Sequence, residues 1–259
     1  LVNSLWAYGQ RMKLLGVKTP FLKLSQAINY SNLTELKEDV KQIGQEIETK
    51  GLPPEIGPFI CGFFGYGHVS QGAQEIYDLL PAVEISPSEL AETVEKGYYS
   101  LHRVYKVVFK EEDMVRPKGD FPFELEDYYR QPEKYYPVTE NYLPYLNVLI
   151  NAVFWTPKYP KFVTRAFLKK LYAGDAQPRL QVIGDITCDI NGSIECTVRA
   201  TDSERPVYVF DPVSEQTVDG FEGRGPVVMA VYNLPAELPL ESSTYFSQRL
   251  KAYIPNLAV

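Results

Sequence analysis

The stretch from Gly62 to Leu80, GFFGYGHVSQGAQEIYDLL, constrains the fold more than any other. It continues the apolar run PFIC, passes through Gly62, Gly65, Gly67 and Gly72, and then repeats apolar residues at helical spacing at Ala73, Ile76, Tyr77 and Leu80. Strand, glycine turn and helix in that order form half of a βαβ unit, which joins parallel strands and calls for helices over the sheet. Gly65 and Gly67 satisfy the first half of the dinucleotide-binding fingerprint, but Ser70 stands at its third glycine position and the next glycine is Gly72. The free N–H groups that open such a helix can hold a pyrophosphate. A tight turn needing positive φ would use the same glycines with no ligand at all.

The flanking sequence repeats this alternation. Leu1, Leu5, Tyr8, Met12 and Leu15 share a helical face that Gly16 stops, and Leu33, Leu36, Val40, Ile43 and Ile47 form a second stripe that Asn32 caps. AVEIS fits a second parallel strand, and Pro87 suits the start of another helix. Strands are expected over Arg103 to Lys110, over Val148 to Trp155, in RLQVIGDITCD and in PVVMAVY, with helices in RAFLKKLY and in LESSTYFSQRLKAYI. Together these predict an α/β sheet covered by helices. The segment from Arg116 to Leu146 is dense in proline, charge and tyrosine, and its aromatics predict an ordered surface excursion rather than disorder.

Composition narrows the function. A net charge of -7 argues against broad phosphate-backbone contact, so no nucleic acid partner is expected. No run of about eighteen apolar residues occurs, so no membrane span is expected. Cys61, Cys188 and Cys196 are too few and too scattered for a disulfide framework or a zinc site, which suits a reducing compartment: the cytoplasm, or the mitochondrial matrix of a eukaryote. No metal is expected, because the two histidines, His68 and His102, lie far apart in the chain. The chain opens on Leu1 rather than methionine and reads as part of a longer protein.

Several residues are candidates for chemistry, each with a plainer reading beside it. His68, inside the glycine loop, either contacts a phosphate or caps the turn, and His102 reads as structural or exposed. Glu84, nineteen residues after Gly65, stands about where an acid would meet a ribose hydroxyl, and it favours NAD over NADP; its alternative is a solvated strand end. Asp185 and Asp189 follow an apolar strand before the Asn191-Gly192 turn, where a carboxylate either orients reacting groups or caps the turn, with Glu195 a weaker partner. Arg199 and Arg205 read as anion contacts or as surface ion pairs.

Five ordered segments, VNSLWAYGQRM, FGYGHVSQGAQEIYDLLP, VFWTPKYPKFVT, GDITCDINGSIE and YNLPAELPLESS, together resemble the lysine–2-oxoglutarate reductase region of aminoadipic semialdehyde synthase. They also resemble the lysine-forming saccharopine dehydrogenases and the wider alanine dehydrogenase and transhydrogenase group. The resemblance implies a Rossmann-like parallel sheet with flanking helices and part of a second α/β catalytic domain. It divides the chain into an interdomain helix and connector (1–50), a dinucleotide-binding domain with a surface insertion (51–189), and a return segment toward the catalytic domain with a closing helix (190–259). It implies an oxidoreductase that condenses L-lysine with 2-oxoglutarate and reduces the imine with NAD(P)H to saccharopine. Cofactor contacts would fall on Gly65, Gly67, His68, Val69 and Gly72, and Asp189 would correspond to the aspartate beside nicotinamide and substrate. The family's acid/base lysine and histidine belong to a portion that precedes the first helix, so the chain is expected to be catalytically incomplete. The alternative is a noncatalytic dinucleotide-binding module. Homo-oligomerisation and an attached saccharopine dehydrogenase domain are compatible with either reading.

Overall fold

The computed structural model describes residues 1–174, 176–251 and 253–254; Ala252, expected in the closing helix, lies outside them. Among these residues the chain runs through α1 (Val2–Leu14), α2 (Leu33–Lys50), β1 (Phe59–Phe64), α3 (His68–Tyr77), β2 (Ala82–Glu84), α4 (Leu90–Glu95) and β3 (Val104–Phe109). The excursion follows as α5 (Glu111–Met114), β4 (Val115–Pro117), α6 (Leu125–Arg130) and β5 (Tyr135–Pro137). The remainder comprises β6 (Val148–Asn151), α7 (Arg165–Leu171), β7 (Val182–Asp185), β8 (Val207–Phe210), β9 (Thr217–Asp219), β10 (Val227–Met229) and α8 (Pro239–Leu250).

One sheet organises the molecule, in the order β2-β3-β1-β6-β7-β10-β8-β9. Six neighbouring strands from β2 to β10 are parallel, and β8 runs antiparallel to both β10 and β9. Side chains alternate across it: Phe59, Cys61 and Phe63 pack with α1, α2 and α3, whereas Ile60 and Phe64 pack with the excursion and α7. Because both faces are covered, β1 reads as an unbroken apolar run rather than an alternating one. Gly62 sits in that run for a packing reason. A Cβ there would stand 2.5 Å from Leu146 Cδ1, so its absence lets the excursion close on the strand.

The strand next to β1 is not the next strand in the chain. From β1 the chain crosses through α3, which packs with α1 and α2, and reaches the edge strand β2. It returns through α4, whose Leu90 joins the opposite core, and slots β3 between β2 and β1. Going out over one face and back over the other lets both crossovers keep the same hand, as parallel connections require.

The local expectations hold for α1, for α2 with its Asn32 cap on the Glu35 N–H (2.9 Å), and for β1, α3, β3, α7, β10 and α8. The excursion is ordered around stacked aromatics, with Tyr128 and Tyr135 ring centroids 5.3 Å apart and Phe123 5.8 Å from Tyr135. Two expectations need correction, and one part of the sheet was not anticipated. The strand expected over Val148 to Trp155 ends at Asn151, because the chain peels away there to line a cavity. β8 and β9 were not anticipated, being short and lying at the sheet's end. No part of a second α/β catalytic domain is seen among the described residues; β8, β9 and β10 instead complete the same sheet. The buried Arg11 of α1 locks that region down by donating to the Phe221 and Gly223 carbonyls (2.5 and 2.8 Å) and to Gln181 Oε1 (3.1 Å).

Candidate functional site

The glycine turn is built backbone first. β1 ends at Phe64, and Gly65 adopts φ +91°, a left-handed conformation in which a Cβ would also press on the Ala152 carbonyl at 3.1 Å. The Gly65 N–H donates to the Phe109 carbonyl (3.1 Å), which keeps the turn beside the end of β3. Gly67 then caps α3 in extended backbone, with no side-chain cap and nothing within 4 Å of where its Cβ would stand. The opening N–H groups of this ten-residue helix are left without a side-chain cap, at the end where the helix dipole is positive. Ser70 at the third fingerprint position is fully buried, and its Oγ accepts from Gln74 Nε2 (3.0 Å). A small residue is what the close helix–sheet packing demands, and serine meets that demand.

This turn opens onto a cavity of about 670 Å³ lying across the carboxyl ends of β1, β3, β6 and β7. Here chain direction reverses: after β1 the sheet grows first toward β3 and β2, then the other way through β6 and β7. That is the topological switch point, where open α/β sheets bind ligands. The β1 side supplies Gly65, Tyr66, Gly67, His68 and Val69; β6 and β7 are continued by Val153, Trp155, Ile186 and Thr187. Tyr128, Tyr129 and Tyr159 close the outer wall. On the β3 side stands Glu111, whose Oε1 accepts from the Tyr129 hydroxyl at 2.5 Å. Burial and Glu111 together push the Tyr129 hydroxyl well above the ordinary tyrosine range, so it keeps its proton and acts as donor.

Of the residues singled out from sequence, Gly65, Gly67, His68 and Val69 come together in the cavity wall. Gly72 does not; it lies exposed on α3, in a shallow depression with Val2, Leu36 and Ala73. Glu84 does not either. It stands on the edge strand, two strands away from β1, and its carboxylate pairs with Lys106 Nζ at 3.2 Å, which Asp78 shares at 2.8 Å. Asp189 is half-buried in the turn after β7, outside the cavity lining but two residues beyond Thr187. Cys188 and Asn191, both at positive φ (55° and 53°), bracket it, a concentration of backbone strain in non-glycine residues. Asp185 is buried at the end of β7, where burial pushes its carboxyl up while Thr197 Oγ1 (2.6 Å) and Asn151 Nδ2 (2.8 Å) donate to it. Glu195 pairs with Lys161 (2.7 Å), Arg199 and Arg205 both pair with Asp219, and the exposed His102 meets the Glu48 carbonyl. Sequence reasoning did not place Glu111 in the cavity wall. Its signal was the length of β3: a six-residue apolar strand belongs beside the centre of a sheet, and the three-residue AVE at an edge.

No family model matches the chain. The chain aligns from end to end with alpha-aminoadipic semialdehyde synthase of Arabidopsis thaliana, at 38% identity over 271 residues. It is homologous to the alpha-aminoadipic semialdehyde synthases. The mitochondrial alpha-aminoadipic semialdehyde synthases of Bos taurus and Mus musculus align over 99% of the chain at 33% and 32% identity. The chain spans 25% of the length of the plant synthase and 29% of the bovine and mouse synthases. Because the aligned span covers the whole chain, the glycine turn, the excursion and the β7 turn all lie within it.

Proposed function

We propose that this chain is the dinucleotide-holding part of an oxidoreductase of lysine metabolism, a saccharopine-forming lysine–2-oxoglutarate reductase using NAD(P)H. The observation that carries the reading is the glycine turn, whose uncapped helix N-terminus opens onto the switch-point cavity in a chain homologous throughout to the synthases. The residues fit such a cofactor: open space over Gly67 lets a pyrophosphate reach the first N–H groups of α3, and the apolar side chains of Val153 and Ile186 suit a nicotinamide. When bound, the nicotinamide supplies hydride to the carbon of the imine formed between the lysine amine and the keto acid.

The chain's own residues bind and orient in this scheme. Trp155 and the tyrosine wall exclude water, and Asp189, held by its strained turn, orients the reacting groups from the β7 side. The lysine and histidine that move protons in the resembled family belong to the portion expected before α1. In the whole polypeptide, 1–50 would act as connector, 51–189 as cofactor domain and 190–259 as the return toward the catalytic portion. A mitochondrial location accompanies the reading, since the bovine and mouse relatives carry it in their names.

The full-length polypeptide given lysine, 2-oxoglutarate and reduced dinucleotide is expected to consume the dinucleotide only when both substrates are present. Asp189→Asn should lower that turnover at least tenfold with little change in melting temperature. No substrate-dependent consumption by the full-length polypeptide would sink the reductase reading. A noncatalytic dinucleotide-binding module is the second reading, favoured by the cavity lining, which includes His68 but no lysine among the described residues. Turnover in the full-length polypeptide would count against it.

A further inference from the structure

We propose that Asp185 is a positioning residue for this reaction: buried beneath the β7 turn, it sets the aim of the Asp189 carboxylate and touches no reactant itself. The inference rests on the reductase reading above and on the place given there to Asp189, and it adds the part that holds that carboxylate in line.

The argument starts from what Asp189 lacks. Among the described residues nothing donates a hydrogen bond to its carboxylate, so the backbone of the turn decides where it points. That backbone is strained, since positive φ at Cys188 and Asn191 persists only where the surroundings over-determine it. Gly192 closes the turn by donating its N–H to the Asp189 carbonyl (2.8 Å), at a position where a Cβ would stand 2.5 Å from Asp189 Cβ. The other ties converge on Asp185. Its Oδ1 accepts from the Cys188 N–H (3.3 Å), immediately before Asp189, and its Oδ2 accepts from Thr197 Oγ1 (2.6 Å). The Thr197 carbonyl in turn accepts from the Asn191 N–H (2.8 Å), so one carboxylate grips the turn on both sides of Asp189.

The same carboxylate reaches the cavity floor. Asp185 ends β7 opposite Asn151, which ends β6, and Asn151 Nδ2 lies 2.8 Å from Asp185 Oδ1 and 3.3 Å from Thr187 Oγ1. Thr187 Oγ1 donates onward to the Val153 carbonyl (2.9 Å), and Thr187 and Val153 both line the cavity. Asn151 Oδ1 is buried with no partner among the described residues, so the amide forgoes an acceptor bond while its NH2 stays turned to the carboxylate. The three donors to Asp185 are all neutral groups, and the residue is 1% exposed. A carboxylate so enclosed is closed to substrate and acts only through the groups it holds. Misplacing a reacting group by about 1 Å costs on the order of a hundredfold in rate, so a loosened turn registers in turnover before it registers in binding.

The test uses the full-length polypeptide with lysine, 2-oxoglutarate and NADH or NADPH, whichever the unaltered protein oxidises. It reads kcat, both substrate KM values, the dissociation constant of the reduced dinucleotide and the melting temperature. Asp185→Asn, which keeps the shape, is expected to lower kcat at least about fivefold while KM and the dissociation constant stay within about twofold. Thr197→Val, which removes the donor to Oδ2, should lower kcat in the same way, and Thr197→Ser, which restores the hydroxyl, should recover it. Because Asp185 acts through Asp189, adding Asp185→Asn to Asp189→Asn should cost less than about twofold more in kcat. Unchanged kcat in folded Asp185→Asn, a loss carried by KM, or losses that multiply in the double variant would overturn the proposal and leave the reductase reading standing. If Asp185→Asn fails to fold, the Thr197 pair decides, and full kcat in Thr197→Val overturns the proposal. Full turnover in Asp189→Asn alone would remove the role given to Asp189 and this proposal with it, and no turnover by the unaltered protein would sink the reductase reading itself.

Discussion

Gly65 and Gly67, two residues apart in one turn, do different jobs, and they can be separated by experiment. Gly65 is required by its own conformation, since a residue with a Cβ at φ +91° costs about 1–2 kcal/mol before its contact with the Ala152 carbonyl is counted. Gly67 has ordinary φ and open space around it, so a side chain there meets no protein atom within 4 Å. Gly67→Val is therefore expected to weaken dinucleotide binding more than tenfold while costing at most about 1 kcal/mol of stability through the altered N-cap. Calorimetric titration beside a thermal melt checks this, and unchanged affinity in the folded variant would remove the pyrophosphate from Gly67. At this scale the sequence was readable where position follows from local backbone: Gly65, Gly67, His68 and Val69 line one cavity. Glu84 was not brought to the cavity, because its role depended on which strand lies beside β1, and that is decided by pairings distant in sequence.

Among elements, α2 was legible because both its stripe and its Asn32 cap lie within a few residues of each other. The excursion was legible for another reason: chains that cannot fold rarely carry so many aromatics, and here they stack on one another and on the sheet. β8 and β9 hid because three or four residues give too little pattern, and β8 is recognisable only through its pairing with β10. The join between excursion and sheet rests on Gly62. Gly62→Val should cost about 1–3 kcal/mol, because the new side chain collides with Leu146 in a packed layer. Denaturant unfolding measures this, and the loss should shrink when Leu146→Ala is added to make room. Additive costs for the two substitutions would mean that Gly62 is there for another reason.

For the whole molecule, the sheet gathers the glycine turn, the aromatic wall and the β7 turn at one edge, although more than a hundred residues separate Gly65 from Asp189. Its strand order also has a consequence in time. Among the described residues β2 pairs only with β3, and β3 is made about twenty residues later in the chain. Until β3 arrives, Ala82–Glu84 has no strand to join, so the βαβ unit that looks most local in the sequence cannot close on its own. The chain must first hold open a gap one strand wide beside β1, and the loop spanning β1 to β3 must close before that gap is filled. Pulsed hydrogen exchange during refolding should protect Val104–Phe109 no later than Ala82–Glu84. The three-residue strand that sequence reading took as the partner of the glycine turn would then be among the last parts of this sheet to become solid.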